Sequence, residues 1–221
     1  MKLLLTSAGI SNTSIRNALV ELLGKPIAEA NALFVPTAIY GIPRGGDIVR
    51  RVICGSLGDP FCDMGWKSLG LLELTALPSM KQELWVPLLE ETDALLVGGG
   101  DCQYLTYWMQ QSGLADLLPS LLRKTVYVGL SAGSMIMTRY GTTYGNHTLP
   151  ADCGKSLGWV DIAIHPHLDY PQFPDNSLAN LEKLAATLPM PSYLIDDQTA
   201  IQVVDGAIDV VSEGHWKLVT I

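Results

Sequence analysis

Val126-Tyr127-Val128-Gly129-Leu130-Ser131-Ala132-Gly133-Ser134-Met135 is the stretch on which the reading of this chain turns. Residues 126–128 form a short apolar run with the character of a buried strand. The run ends in Gly129-Leu130-Ser131-Ala132-Gly133, a G-x-S-x-G pattern, and helix is expected over 135–138. Strand, sharp turn and helix is the context in which this pattern becomes a nucleophile elbow. The turn forces the central serine into a strained backbone conformation, and the flanking glycines let neighbouring chain approach closely. The Ser131 hydroxyl would then stand at the carboxyl end of a strand. The N–H of Ala132, at the start of the helix, would be free to bind a developing oxyanion. The same residues also suit an ordinary Gly/Ser-rich turn of an α/β domain, so the rest of the chain has to decide.

Upstream, a fully apolar run at 94–97 leads straight into Gly98-Gly99-Gly100-Asp101, with helix expected over 103–111. Three glycines between strand and helix leave backbone N–H groups uncovered, which suits an anion. Beside a nucleophile elbow they could supply a second oxyanion donor, and Gly100 is the candidate. The stretch is not G-x-G-x-x-G and no Walker lysine follows, which argues against nucleotide binding. Further short apolar strands are expected at 2–6, 32–36, 69–74, 159–164 and 192–195. They alternate with helices near 14–23, 47–54, 80–90, 114–123 and 177–188. This alternation indicates an α/β fold with a parallel sheet covered on both faces. In such sheets the strand carboxyl ends form the ligand crevice. The tail, 200–204, 207–212 and 216–221, reads as antiparallel strands joined by turns at Asp205-Gly206 and Glu213-Gly214.

The 221 residues suit one domain, 1–221. Apolar residues make up 48% and charged residues 16%, as in a compact globule. A net charge of −8 argues against nucleic-acid binding. The apolar run at 3–5 is too short for a signal peptide or a membrane span. Four scattered cysteines, Cys54, Cys62, Cys102 and Cys153, without a C-x-x-C pair, point to reduced thiols, a cytoplasmic location and no zinc site.

A nucleophilic serine needs a base, and the base needs an orienting group. The chain has four histidines. His147 falls in a loop and His215 near the carboxyl end, whereas His165 and His167 lie at a strand's end, where catalytic groups collect. His165-Pro166-His167 could also start a metal site, but no third ligand stands at a recognisable spacing. Asp196 and Asp197 end the next strand. Either could hold an imidazole tautomer, and either could simply make a turn.

Taken together, Val97-Gly98-Gly99-Gly100, Gly129-Leu130-Ser131-Ala132-Gly133, Pro166-His167-Leu168 and Asp196-Asp197-Gln198-Thr199-Ala200-Ile201 make the chain resemble the peptidase E family of serine peptidases. That family includes the aspartyl dipeptidases and the cyanophycinases. The resemblance implies a three-layer α/β/α sandwich with a central, mainly parallel sheet, like the class I glutamine amidotransferases. It implies Ser131 as nucleophile, His167 as base, Asp197 as the acidic member with Asp196 in reserve, and Gly100 and Ala132 N–H groups as the oxyanion hole. It implies a hydrolase of small peptides, dipeptidase-like, acting through an acyl-enzyme. No cofactor or metal is expected, and the partners expected are a small peptide substrate and, compatibly, a second copy of the chain. An amidase or esterase on the same residues, or a non-catalytic binding protein on the same fold, are the alternatives. One departure stands out. The aspartyl dipeptidases carry an arginine-rich stretch after the histidine, whereas this chain has no arginine beyond Arg139. The comparable stretch, 168–175, is acidic and aromatic, which argues against Asp-X specificity.

Overall fold

A computed structural model describes residues 1–56, 61–143, 145, 147–150 and 153–220. β1 (Lys2–Thr6) leads to α1 (Thr13–Leu23), and β2 (Asn31–Val35) to α2 (Thr37–Tyr40) and α3 (Gly45–Ile53). β3 (Ser68–Leu71) leads to α4 (Val86–Glu90), and β4 (Ala94–Val97) to α5 (Cys102–Gln111) and α6 (Leu114–Leu121). β5 (Val126–Leu130) turns directly into α7 (Ala132–Met135). The remaining elements are β6 (Ala163–His165), α8 (Leu178–Ala185), β7 (Ser192–Ile195), β8 (Thr199–Val204), β9 (Ala207–Ser212) and β10 (Trp216–Val219). No helix among the described residues is long and apolar enough to cross a membrane.

Seven strands form one sheet in the order β3-β2-β4-β5-β1-β8-β9. The first five strands of the chain pair in parallel, and β8 and β9 extend the sheet as an antiparallel pair. Side chains alternate across it, because successive residues of a strand point to opposite faces. Leu3, Leu5, Leu95, Val97 and Tyr127 pack on one face against α5 and α6. Leu4, Ala94, Leu96, Val126 and Val128 pack on the other against α1 and α3. Helices on both faces give the expected three layers, and explain why the central strands are apolar without interruption.

Local chemistry moves several boundaries. The helix expected near 14–23 starts at Thr13, because Asn12 caps it with a side chain that accepts from the Ile15 N–H at 2.9 Å. The strand expected over 69–74 stops at Leu71, because Glu73 caps a 3-10 turn over Leu74–Ser79. The helix expected over 80–90 is broken at Trp85 into a 3-10 turn and the short α4. The strand expected over 159–164 shrinks to β6: a tight turn in which the Ile162 N–H donates to Val160 O interrupts it. The largest correction concerns the tail. β10 does not pair with β9 but runs antiparallel to β7 in a second sheet of order β10-β7-β6. Asp196 draws the chain across, since its N–H donates to His215 O and its carboxylate accepts from the His215 N–H at 2.8 Å.

The join between β5 and α7 is packed backbone against backbone. A Cβ on Gly133 would lie 2.1 Å from Val97 O, and one on Gly129 would lie 2.6 Å from Ser134 N. Both neighbours are backbone, so neither contact has a flexible side chain to yield. Gly133→Ala is expected to lower stability by about 1–3 kcal/mol through overpacking, read as an earlier urea midpoint.

β6 carries His165 into the interior, where it is 3% exposed and its Nε2 has no partner. Burial lowers its pKa from 6.5 to about 4. The folded state therefore binds this proton less readily than the unfolded chain does. The neutral imidazole keeps its full contribution above pH 6.5, and stability falls as the pH drops from there towards about 4. His165→Phe is expected to flatten that part of the stability-versus-pH curve. An unchanged slope in thermal melts across the window would count against the buried imidazole as its source.

Candidate active site

Three strand ends meet above the sheet. β5 delivers Ser131, β6 delivers His167 two residues past its end, and β7 delivers Asp197. In the sheet β5 lies between β4 and β1, so the glycine turn after β4 and Ser7 after β1 flank the same point. β8 runs antiparallel to β1 and therefore begins at this edge, which brings the Asp196-Asp197 turn to it. The Ser7 N–H donates to Thr199 O, which extends the β1–β8 pairing, and the Leu168 N–H to Ile195 O, which extends the β6–β7 pairing, while the His167 N–H donates to Ser7 Oγ at 2.8 Å and ties the two sheets together at the site.

Ser131 has φ 49° and ψ −108°, the strained conformation expected of an elbow. Its neighbours hold it there. The Ser131 N–H donates to Thr6 O at 3.0 Å, and Ser131 O accepts from Ser134 and Met135 N–H groups at 2.9 Å. The Thr6 hydroxyl donates to Gly129 O and the Ser134 hydroxyl to Thr6 O, both at 2.7 Å. On the inner side, the buried Tyr127 hydroxyl donates to Gly133 O.

His167 Nε2 lies 3.0 Å from Ser131 Oγ, and His167 Nδ1 lies 2.7 Å from Asp197 Oδ1. Its backbone is also at positive φ, 60°, so the extended alternation of β6 ends before it. The two histidines around Pro166 are thus separated: His165 stays in the core and His167 reaches the serine. Asp196 does not face the imidazole of His167. Its Oδ1 accepts from the Gln198 N–H and the Thr199 hydroxyl, and its Oδ2 accepts from the His215 N–H. It makes the turn, while Asp197 meets the histidine. Burial pushes the Asp197 carboxyl up, but hydrogen bonds from His167 and Ser7 and the nearby imidazole outweigh it. The carboxyl is held below its usual range.

Ser7 is the residue that the sequence reading missed. It is fully buried, its hydroxyl donates to Asp197 Oδ1 at 2.8 Å, and its own Oγ accepts from the His167 backbone N–H at 2.8 Å. Ser11 adds a bond to the Asp197 carbonyl at 2.6 Å. The signal available in sequence was only its place at the carboxyl end of a core strand. The neighbour relation of β1 to β5 and β8, which gives that place its meaning, is not written locally.

The glycine turn is more occupied than its composition suggests. The Gly98 N–H is taken by Val35 O at 3.0 Å and the Asp101 N–H by Ala38 O at 3.0 Å. Among the described residues, the N–H groups of Gly99, Gly100 and Ala132 have no acceptor. Gly100 has φ 135°, and a Cβ there would lie 2.1 Å from Ala38 O, so only glycine fits. Cys102 is buried and its thiol is pushed up to about 12 by desolvation, which leaves it an inert part of the core. His147 is held elsewhere, at 3.2 Å from Asp101 Oδ1.

Two clefts open on Ser131. One, of about 370 Å³, is bordered by Tyr140, Thr142, His165, Phe173 and Asn176. The other, of about 570 Å³, runs from Gly99 and Gly100 towards α2 and α3. His167 and Phe173 border both. Of the stretch 142–158, Thr142 alone among its described residues borders the clefts. The acidic and aromatic stretch after His167 supplies the wall: the Phe173 ring lies tilted at 5.0 Å from the His167 ring and that of Tyr170 at 6.1 Å.

The fold has solved counterparts. A candidate peptidase E protein from Listeria monocytogenes EGD-e matches with a TM-score of 0.68 at 15% identity, over 96% of this chain and 98% of that one. A peptidase from an acI-B1 Actinobacterium matches with a TM-score of 0.54 at 18% identity, over 99% of this chain and 86% of that one. These are likenesses of fold. No curated protein matches the chain significantly. The model of peptidase family S51 matches residues 3–211, nearly the whole chain. The chain belongs to that family, the peptidase E family, and is a serine-type peptidase.

Proposed function

We propose that the chain hydrolyses small peptides through Ser131, His167 and Asp197, with an acyl-enzyme on Ser131. The observation that carries this reading is the continuous pair of short contacts from Oγ to Nε2 and from Nδ1 to Oδ1, at 3.0 and 2.7 Å. Asp197 holds the proton of the imidazole on Nδ1, which leaves Nε2 as acceptor. His167 takes the Ser131 proton as Oγ attacks the scissile carbonyl. The negative charge that develops on the carbonyl oxygen meets the unpaired N–H groups of Gly100 and Ala132. α7 is one turn long, so the local N–H counts here and not a helix dipole. One such donor lowers the barrier by about 3–4 kcal/mol in a comparable site. His167 then protonates the leaving amine, and water, activated by the same imidazole, releases the acid. Small substrates fit clefts of about 370 and 570 Å³ better than a folded protein would. Asp-X specificity gains no support, because neither cleft is bordered by lysine or arginine among the described residues.

Labelling with a fluorophosphonate tests the reading. The wild type is expected to label, and Ser131→Ala and His167→Ala are expected to lose both label and peptide turnover, by at least ~10³-fold. Asp197→Asn is expected to lose about 10⁴-fold in kcat, as in other arrays of this kind, because the wrong tautomer is then favoured. A folded wild type that neither labels nor turns over any dipeptide would favour a binding protein on the same fold.

Ser7 is a positioning residue in this scheme: it touches the base's backbone and the carboxylate, not the substrate. Removing its hydroxyl leaves one charge-assisted bond to Asp197 unmade. Ser7→Ala is expected to lower kcat about 10-fold with KM within about 2-fold. Ser7→Thr, which keeps the hydroxyl, is expected to recover most of the loss. Equal falls in both variants, or a change in KM alone, would assign Ser7 a packing role only.

A further inference from the structure

The larger cleft beside Ser131 has a chemistry of its own. Its sides are Phe34, Ile39, Ile42, Ile48, Val52 and Phe61. Gly98 and Gly99 give it a floor of bare backbone, and Tyr170 and Phe173 close it on the side of His167. α3 turns apolar side chains to the cleft and carries Arg50 away from it. Ile48 and Val52 face the cleft, whereas Arg50 pairs with Asp47 at 3.0 Å on the exposed side, where Arg44 also meets Asp47. Arg139 is paired with Asp161. The charged or chargeable partners at this cleft are therefore His167 and Asp197 of the reacting array, with the Tyr170 phenol, among the described residues. A substrate carboxylate placed here would lose water, gain no cation and face the ionised Asp197. A substrate ammonium would meet apolar walls.

We propose that this cleft receives a bulky aliphatic or aromatic side chain from a residue flanking the scissile bond, so that the substrates are short hydrophobic peptides. The inference rests on the Ser131–His167–Asp197 reading and names the substrate class of that site. Burying a Leu or Phe side chain in place of Ala should raise kcat/KM by roughly 10–100-fold when the apolar area is removed from water in the transition state as well.

The test uses the purified full chain with di- and tripeptides in which each position in turn is Ala, Leu, Phe, Asp or Lys. At one position Leu or Phe is expected to exceed Ala by roughly 10–100-fold in kcat/KM, with Asp below Ala. Ile48→Arg is expected to cut the Leu and Phe rates at least 10-fold and to raise the rate with Asp. Ile48→Ala, a smaller change should the arginine prevent folding, is expected to move the optimum towards larger side chains. A wild type that labels at Ser131 but prefers Asp or Lys, or does not distinguish side chains, would overturn the apolar site and leave the triad standing. A wild type that neither labels nor cleaves any of the peptides would overturn both.

Discussion

The site depends on one constraint: Ser131 is held at positive φ between the end of β1 and the start of α7. A non-glycine residue in such a conformation costs on the order of 1–3 kcal/mol, and persists only where its surroundings over-determine it. Here they do. Thr6 uses its carbonyl to accept from the Ser131 N–H and the Ser134 hydroxyl, and its own hydroxyl to donate to Gly129 O. Gly133 lets α7 lie against the end of β4 at a distance that excludes any side chain. The position of Ser131 is thus a property of three adjacent strands, β4, β5 and β1, and not of the pentapeptide alone.

From that fixed point the rest of the array is built by closure between two sheets. β6 and β7 belong to the smaller sheet, yet their ends must meet β5 and β1 of the larger one. Ser7 makes the connection with a single oxygen, accepting from the backbone of His167 and donating to Asp197. Positive φ at His167 bends the chain out of β6 so that the imidazole reaches Ser131. The two aspartates divide the work in the same way. Asp196 is committed to the turn and to His215, which also sends β10 to the smaller sheet. Asp197 is left to face the histidine.

The wall around the array is made from residues whose composition looked unremarkable for chemistry. The stretch after His167, where a charged recognition segment would be expected from the aspartyl dipeptidases, turns Phe173 and Tyr170 onto the imidazole ring. Of its two acids, Asp169 is engaged elsewhere, accepting from the Leu178 N–H and meeting His215, while Asp175 borders the smaller cleft. Opposite, α3 keeps Arg50 on the exposed side and presents Ile48 and Val52 to the cleft. The electrostatic character of the site is set by which face of a helix looks at it.

Much of this was legible in the chain. G-x-S-x-G after an apolar run, three glycines after another, and strand-ending histidines and aspartates mark the layered α/β class, Ser131 and the pairs His165/His167 and Asp196/Asp197, because each signal is local: strand period, turn chemistry, residue type; His167 and Asp197 were singled out only by the family resemblance. Boundaries at 69–74, 80–90 and 159–164 were not legible, because a cap at Glu73, a break at Trp85 and a turn at Val160 compete with propensity through bonds to neighbouring chain. Ser7 was not legible, and local chemistry alone did not separate Asp196 from Asp197. Both depend on β1 lying next to β5 and β8, and on β10 leaving β9 for β7, and strand order is a long-range property. The sequence by itself determined which chemical groups are present and on which kind of element each sits. Only the tertiary structure decided which of them touch, because contact across a sheet joins residues more than a hundred positions apart through backbone that carries no signal of its partner.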